Sequence, residues 1–144
     1  MSSQIDRLKA LANEISTYEI ERKKNLRTLE TLFRHLKLDQ KVESFQQLFE
    51  FKAMNLSGIS LQPERLGESM PGKYAQIIAI NYIEEEGKKR AKNVNLRYFG
   101  RVENLDNQCK QDIVEFILRW RLEKSFRSVD HYRQMMHQID SKRL

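Results

Sequence analysis

The chain has little cysteine, proline or glycine: one cysteine, two prolines and five glycines among 144 residues. A single thiol excludes an internal disulfide, and so little proline and glycine argues against a disordered or collagen-like chain. The longest uncharged apolar stretch, residues 74–83, is about half of what a bilayer crossing needs. The first residues lack a secretory signal pattern. We therefore expect an intracellular protein, cytoplasmic or nuclear, with no membrane partner.

Residues that carry catalytic or metal chemistry are also scarce. The three histidines are too widely spaced for a metal pair on a helix, and Cys109 has no histidine nearby in the sequence. Asp112 and Glu115 share a predicted helical face, but neighbouring Lys110 and Arg119 favour an ordinary salt-bridged surface. The glycines are scattered singly, which excludes a phosphate-binding loop. The sequence predicts a non-enzymatic protein without a metal or cofactor.

Basic residues outnumber acidic ones in this chain. Lysine and arginine number 26 against 20 aspartates and glutamates, which gives a net charge of +6. The last quarter of the chain, residues 107–144, carries half of this surplus. A basic chain favours polyanions or acidic protein surfaces as partners.

A seven-residue repeat runs through the first 36 residues. It places one stripe on one side of a helix, and such a stripe must be buried against another helix. The stripe consists of Ile5, Leu8, Ala12, Ile15, Glu19, Arg22, Leu26, Leu29, Phe33 and Leu36. Two alternatives fit: a coiled coil with a second chain, or packing against the protein's own C-terminal helices. The first alternative predicts a homo-oligomer or a hetero-coiled-coil partner.

Glu19 and Arg22 interrupt this stripe at its centre. In a parallel homodimer they place like charges close together, whereas a different partner could supply complementary charges. The pair therefore favours a hetero-partner or an antiparallel arrangement.

The segment that follows the repeat predicts a second helix and then a linker. Asp39 can cap a helix that carries Val42, Phe45, Leu48 and Phe49 on one face. Two turn-like clusters, 55–58 and 68–72, bracket a short apolar stretch. These features divide the chain into a helical segment 1–53, a linker 54–73 and a head domain 74–144.

The middle of the chain fits either a β-hairpin or a helix. Residues 74–83 are rich in β-branched and aromatic side chains, and 94–98 alternate apolar with polar residues, as a half-buried strand does. The acids Glu84–Glu86 and the bases Lys88–Arg90 also form pairs at four-residue spacing, which suits a helix. Gly87 between them costs a helix interior up to about 1 kcal/mol, so we favour the hairpin.

Two helices are predicted at the C-terminus. The first is capped by Asp106 or Asn107 and has a compact apolar face of Ile113, Phe116, Ile117 and Trp120. The second begins near Ser128 after a short connection around Ser125. Its predicted buried stripe is Tyr132, Met135, Met136 and Ile139. The predicted fold class is mainly α (α+β): an N-terminal coiled-coil or helical-hairpin stalk, then a small head with a β-hairpin and two C-terminal helices.

The strongest functional pattern is a basic cluster with interleaved aromatic residues. Cations can pair with phosphates while exposed aromatic rings stack on unpaired bases. The candidate nucleic-acid-binding residues are Lys88, Lys89, Arg90, Lys92, Arg97, Tyr98 and Arg101, with Phe99 beside them. The alternative is that Tyr98 and Phe99 point into the core and the cations balance Glu84–Glu86.

Two functions remain open on the sequence. The first is a nucleic-acid-associated accessory protein that oligomerises through its N-terminal helix and binds through the basic head. The second is a structural adaptor whose helix pairs with another protein and whose head docks onto a larger assembly.

Overall fold

The protein combines a three-stranded sheet with two long helices. The computed structural model describes the backbone of residues 2–143 and, within that range, every side chain except those of residues 2, 15 and 16. The elements in chain order are α1 (Ser2–His35), β1 (Ala53–Ser57), β2 (Tyr74–Glu85), β3 (Lys88–Arg101) and α2 (Asn107–Arg143). Short 3-10 helices span Leu38–Gln40, Phe45–Glu50, Pro63–Arg65 and Val102–Asn104.

The C-terminal region is one helix rather than the predicted two. Its start is capped by Asp106, whose Oδ1 accepts a 2.7 Å hydrogen bond from the N–H of Cys109. No glycine or proline follows Arg101, so nothing in the sequence breaks the helix. The hydroxyl of Ser125, at the expected break, instead donates a 3.1 Å hydrogen bond to the carbonyl of Arg121 within the helix.

The predicted N-terminal stalk is also wrong, because α1 packs antiparallel against α2 of the same chain. His35, at the end of α1, lies 3.3 Å from Asp112 near the start of α2. Farther back along α1, Arg22 meets Glu123, which lies farther along α2. Of the two alternatives for the seven-residue repeat, the structure shows packing on the chain's own C-terminal helix.

The predicted stripe of α1 is buried only in its second half. Leu29, Phe33 and Leu36 are core residues and Leu26 is partly buried, while Ile5, Leu8 and Glu19 are exposed. Ile15 lies outside the described side chains. The row that contacts α2 runs through Tyr18, Arg22 and Asn25. Phe33 packs sideways on Phe45, with ring centroids 5.7 Å apart. The second half of α1 is thus covered from two sides.

The sheet contains the predicted hairpin and a third strand. The strand order is β1-β2-β3 with both pairs antiparallel. Glu86 and Gly87 form the turn with φ values of 52° and 77°, as a two-residue hairpin turn requires. This left-handed turn explains why 84–90 is not a helix despite its charge pairs. Residues 54–57 of β1 lie inside the predicted linker 54–73, and Met54 among them is buried.

The second helix predicted after Asp39 is replaced by two short 3-10 helices. Lys37 adopts a left-handed φ of 57° and ends the helical path. Ser44 caps the Phe45–Glu50 turn, since its Oγ accepts a 3.3 Å hydrogen bond from the N–H of Gln47. The N–H of Lys52 then donates a 2.9 Å hydrogen bond to the carbonyl of Ile80, so pairing with β2 begins at this residue.

The core lies between the inner sheet face, the second half of α1 and the first half of α2. Trp120 is 3% exposed and its indole N–H donates to the carbonyl of Leu48 at 2.9 Å. Lys124 reaches the carbonyl of Phe49 at 2.9 Å. Burial lowers the pKa of Lys124 below its ordinary value, helped by the nearby charges of Lys52 and Arg127. Two side chains of α2 therefore donate hydrogen bonds to carbonyls near the end of the 3-10 helix Phe45–Glu50.

The far half of α2 is exposed, contrary to the buried stripe predicted for it. Tyr132, Met135, Met136 and Ile139 are 42–64% exposed. Neither the sheet nor the 3-10 helices cover this half of α2, and α1 covers only one side of it. These residues are helical, but they belong to the single helix α2, and a partner for this face is absent from the described part of the chain.

Candidate nucleic-acid interface

The outer face of the sheet is open and carries alternate residues of β2 and β3. Ala75, Ile77 and Ala79 are fully buried on the inner face, so the residues between them point outward. The strand register extends this face onto β3. The outward residues are Tyr74, Gln76, Ile78, Ile80 and Tyr82 on β2, and Arg101, Tyr98, Asn95, Asn93 and Ala91 opposite them on β3.

Two tyrosines lie together on this face. The rings of Tyr74 and Tyr98 have centroids 5.7 Å apart and an interplanar angle of 32°. They are 49% and 53% exposed. Arg101 pairs with Tyr74 across the strands, and its Nε lies 3.7 Å from a carboxylate oxygen of Glu103. The result is an exposed aromatic surface with a cation beside it.

Neutral amide groups and aliphatic side chains continue the surface away from the tyrosines. Asn95 pairs with Ile78 and Asn93 with Ile80, while Asn55 of β1 lies on the other side of Ile78. Each amide offers donors and an acceptor to a ligand lying on the sheet. The face can therefore stack planar groups at one end and hydrogen-bond their edges farther along.

The β2–β3 hairpin continues past the core as a charged arm. Residues 84–92 carry Lys88, Lys89, Arg90 and Lys92 against Glu84, Glu85 and Glu86, so four cations against three carboxylates leave a net charge of +1. All of these residues are exposed. Arg90 lies 3.7 Å from Glu85, which partly balances its charge.

The arm separates the predicted cations onto two faces. Lys89 pairs with Glu84 and lies on the same face as the tyrosines. Lys88, Arg90 and Lys92 alternate with it and lie on the opposite face. The structure therefore brings Tyr98, Arg101 and Lys89 onto one face, with Tyr74 added from β2.

Arg97 lies on the inner side and contacts the protein itself. Its guanidinium donates a hydrogen bond to the carbonyl of Leu36, just past the end of α1. It also lies 4.6 Å from the ring centroid of Phe99, which is partly buried. Arg97 thus ties β3 to α1 and satisfies a carbonyl that the helix leaves free.

Tyr74 is the residue that the sequence pattern did not include in the site. Its place opposite Arg101 and beside Tyr98 depends on register shifts between Ala75 and Gln76 and between Ile77 and Ile78. Such bulges re-aim side chains without an obvious sequence signal. The alternation of the 74–83 strand gave the only hint that Tyr74 points away from the core.

The metal-binding and catalytic residue types considered in the sequence lie away from this face in the described residues. No group of three or more histidine, cysteine or acidic side chains in residues 2–143 is arranged to hold a metal ion. Burial raises the pKa of the Cys109 thiol above its ordinary value, with a smaller contribution from Asp106, which disfavours the reactive thiolate. Glu115 forms a 2.7 Å ion pair with Arg119 on the surface of α2.

Comparisons with known proteins leave the interface to be judged on its own geometry. No protein-family model, curated protein or solved structure matches the chain. None of the helices described in residues 2–143 contains a stretch long and apolar enough to cross a membrane.

Proposed function

We propose that the protein is a non-catalytic nucleic-acid-binding protein that holds a single strand on the outer face of its sheet. The observation that carries the proposal is the exposed pair Tyr74 and Tyr98, which stand on rigid, paired strands. Exposed aromatic rings that lie together form a flat apolar surface that a planar ligand can cover. Unpaired bases are planar and stack on such rings.

The rest of the face fits an unpaired strand better than a duplex. Bases in a duplex are stacked on one another, so tyrosine rings cannot stack on them without first unstacking a base step. The amides of Asn93 and Asn95 lie where they reach the edges of splayed bases. A duplex would offer this surface its phosphates and groove edges but no base faces.

Phosphate contacts are expected from one cation beside the tyrosines and from a second that lies farther along the same face. Arg101 stands next to Tyr74, and Lys89 lies on the same face toward the arm. The cations on the other face of the arm add to the local positive potential. Binding should therefore weaken as salt rises, with a modest slope, since few cations face the strand.

Removal of both rings is the direct test. We expect the double variant Tyr74→Ala with Tyr98→Ala to bind single-stranded RNA or DNA at least 10-fold more weakly, because each stacked base contributes about 1–3 kcal/mol. Fluorescence anisotropy with labelled 12-nucleotide single strands and the matching duplex, over a salt series, measures the loss.

The matched control retains the rings without their hydroxyls. Tyr74→Phe with Tyr98→Phe should bind within about 3-fold of the wild type, because stacking needs only the aromatic face. Full binding by the alanine variant would refute the proposal. Absence of wild-type binding at low salt would also refute it and would favour the adaptor function.

A further inference from the structure

The α2 outer stripe is a second exposed surface, and it does not depend on the sheet. It is defined as Leu118, Leu122, Ser125, Val129, Tyr132, Met136 and Ile139. The intervals alternate four and three residues for three heptads without a break. The six apolar members are 37–64% exposed. A row with this spacing is typical of a helix that packs against another helix.

The packing of α1 does not account for this stripe. The contacts of α2 with α1 involve a different row, formed by Arg119, Glu123, Phe126, Asp130 and Arg133. That row is offset from the stripe by one residue, which is about 100° around the helix axis. The stripe therefore faces away from α1, toward a side that no described element covers.

We infer that the α2 outer stripe binds the same stripe of a second copy of this chain, with the two helices antiparallel about a two-fold axis. In this arrangement Val129 of one copy lies opposite Tyr132 of the other. Leu122 lies opposite Ile139 by the same register, and the single polar member, Ser125, lies opposite Met136. The six stripe members from Leu122 to Ile139 form three layers, each of which occurs twice, as a symmetric two-fold interface requires, while Leu118 lies opposite Arg143 at the end of the second helix.

The exposed area supports a dimer rather than a minor contact. The six apolar side chains expose on the order of 500 Å², which is comparable with the largest apolar patch of a typical monomer. A standard interface buries about 800 Å² on each partner, and the stripe with its flanking residues supplies most of that. Burial of apolar surface is the main driving force of association at such a seam.

The residues that flank the axis are compatible with close approach. Ser128 and Met135 border the stripe on the side away from α1, and the two-fold axis brings Ser128 of one copy next to Met135 of the other. Neither is charged, so this side of the interface centre contains no like-charge pair. At its Leu118 end the stripe opens into a groove of about 530 Å³, lined by Leu66 and Val114, which leaves space for the end of the second helix.

Solution mass tests whether the dimer exists. Light scattering should give about twice the chain mass of 17.2 kDa for the wild type. Val129→Glu with Met136→Glu should reduce this to a single chain mass, because it buries carboxylates at the seam. The control Gln134→Glu with Gln138→Glu adds the same charge off the stripe and should remain dimeric. A monomeric wild type at 100 µM, or a dimeric Val129 variant, would overturn the inference.

Disulfide cross-linking tests the antiparallel register. On a Cys109→Ser background, Leu122→Cys mixed with Ile139→Cys should form a heterodisulfide, while neither protein should cross-link alone. Self-cross-linking of Ile139→Cys would show a parallel pair and contradict the arrangement. Failure of the mixture to cross-link would contradict it as well. Helical circular dichroism of each variant confirms that the exposed substitutions leave the fold intact.

Discussion

Replacement of Arg22 by methionine should lower the free energy of unfolding by about 3–5 kcal/mol, which is the usual cost of removing one partner of a buried ion pair. Arg22 holds the carboxylate of Glu123 through two hydrogen bonds of 3.0 and 3.1 Å. Glu123 is 0% exposed. Arg127 remains at 3.0 Å from one of its oxygens, but its side chain is 41% exposed and it leaves the other oxygen without a partner. Urea unfolding followed by circular dichroism measures the change.

The direction of the Arg22 pKa agrees with this strong pairing. Hydrogen bonding to Glu123 raises the pKa of the guanidinium above its already high value, with a further contribution from Asp130. The guanidinium therefore stays charged at every pH at which the protein folds. The contribution of the guanidinium to stability is therefore measured by substitution of Arg22 and not by a change of pH.

A double variant separates the cost of an unpaired buried charge from the cost of lost side-chain packing. Arg22→Met combined with Glu123→Leu removes both charges and should recover most of the stability, because an apolar pair of similar size suits the site. Arg34→Met, which breaks the exposed pair with Glu30, should cost less than about 0.5 kcal/mol. Equal losses for the Arg22 single and double variants would contradict this explanation.

Gly58→Ala is the second substitution with a large expected effect. Gly58 has a φ of +84°, and a Cβ built there would lie 2.5 Å from the carbonyl oxygen of Tyr74. The neighbouring atom belongs to the backbone of β2, so it cannot move aside as the end of a side chain can. We expect a loss on the order of 4 kcal/mol, from backbone strain and steric overlap together.

Gly67 supplies a matched control for Gly58. It has the same φ of +84°, but a Cβ there would meet nothing within 4 Å. Gly67→Ala should therefore cost only the conformational strain, about 1–2 kcal/mol. The difference between the two variants in urea unfolding isolates the contact with β2. Equal losses would show that this contact is unimportant.

Local signals in the sequence were sufficient for several elements. The alternation of 94–98 and the isolated Gly87 indicated the hairpin, because a left-handed turn residue and strand periodicity are encoded over a few positions. The compact apolar face that includes Phe116 and Trp120 is buried as its spacing predicts. These features depend on neighbours in the chain rather than on distant contacts.

Features that depend on distant contacts were not predictable from the pattern. The repeat in α1 identified a helix with a buried side, but only the fold shows that its partner is α2. Ser128 resembled a helix start and Ser125 a connection, yet the helix continues through both, and the hydroxyl of Ser125 bonds back to the preceding turn. The direction of Arg97 toward Leu36 also follows from tertiary packing alone.

The candidate site shows the same limit. The basic and aromatic residues of β3 were identified by type, and the division between the two faces came from the strand register. Tyr74 joined the site because of two bulges that no local pattern announces. A sequence pattern can therefore nominate binding residues, while the sheet decides which of them act together.

The most direct test of the proposed interface is an NMR titration of the ¹⁵N-labelled protein with an unlabelled single-stranded oligonucleotide at low salt. We expect the amide shifts to be concentrated at Tyr74, Tyr98, Arg101 and the neighbouring outward residues of β2 and β3. We also expect the amides of the α2 outer stripe to stay unchanged. Shifts confined to the helices, or no shifts at millimolar oligonucleotide, would contradict the central claim.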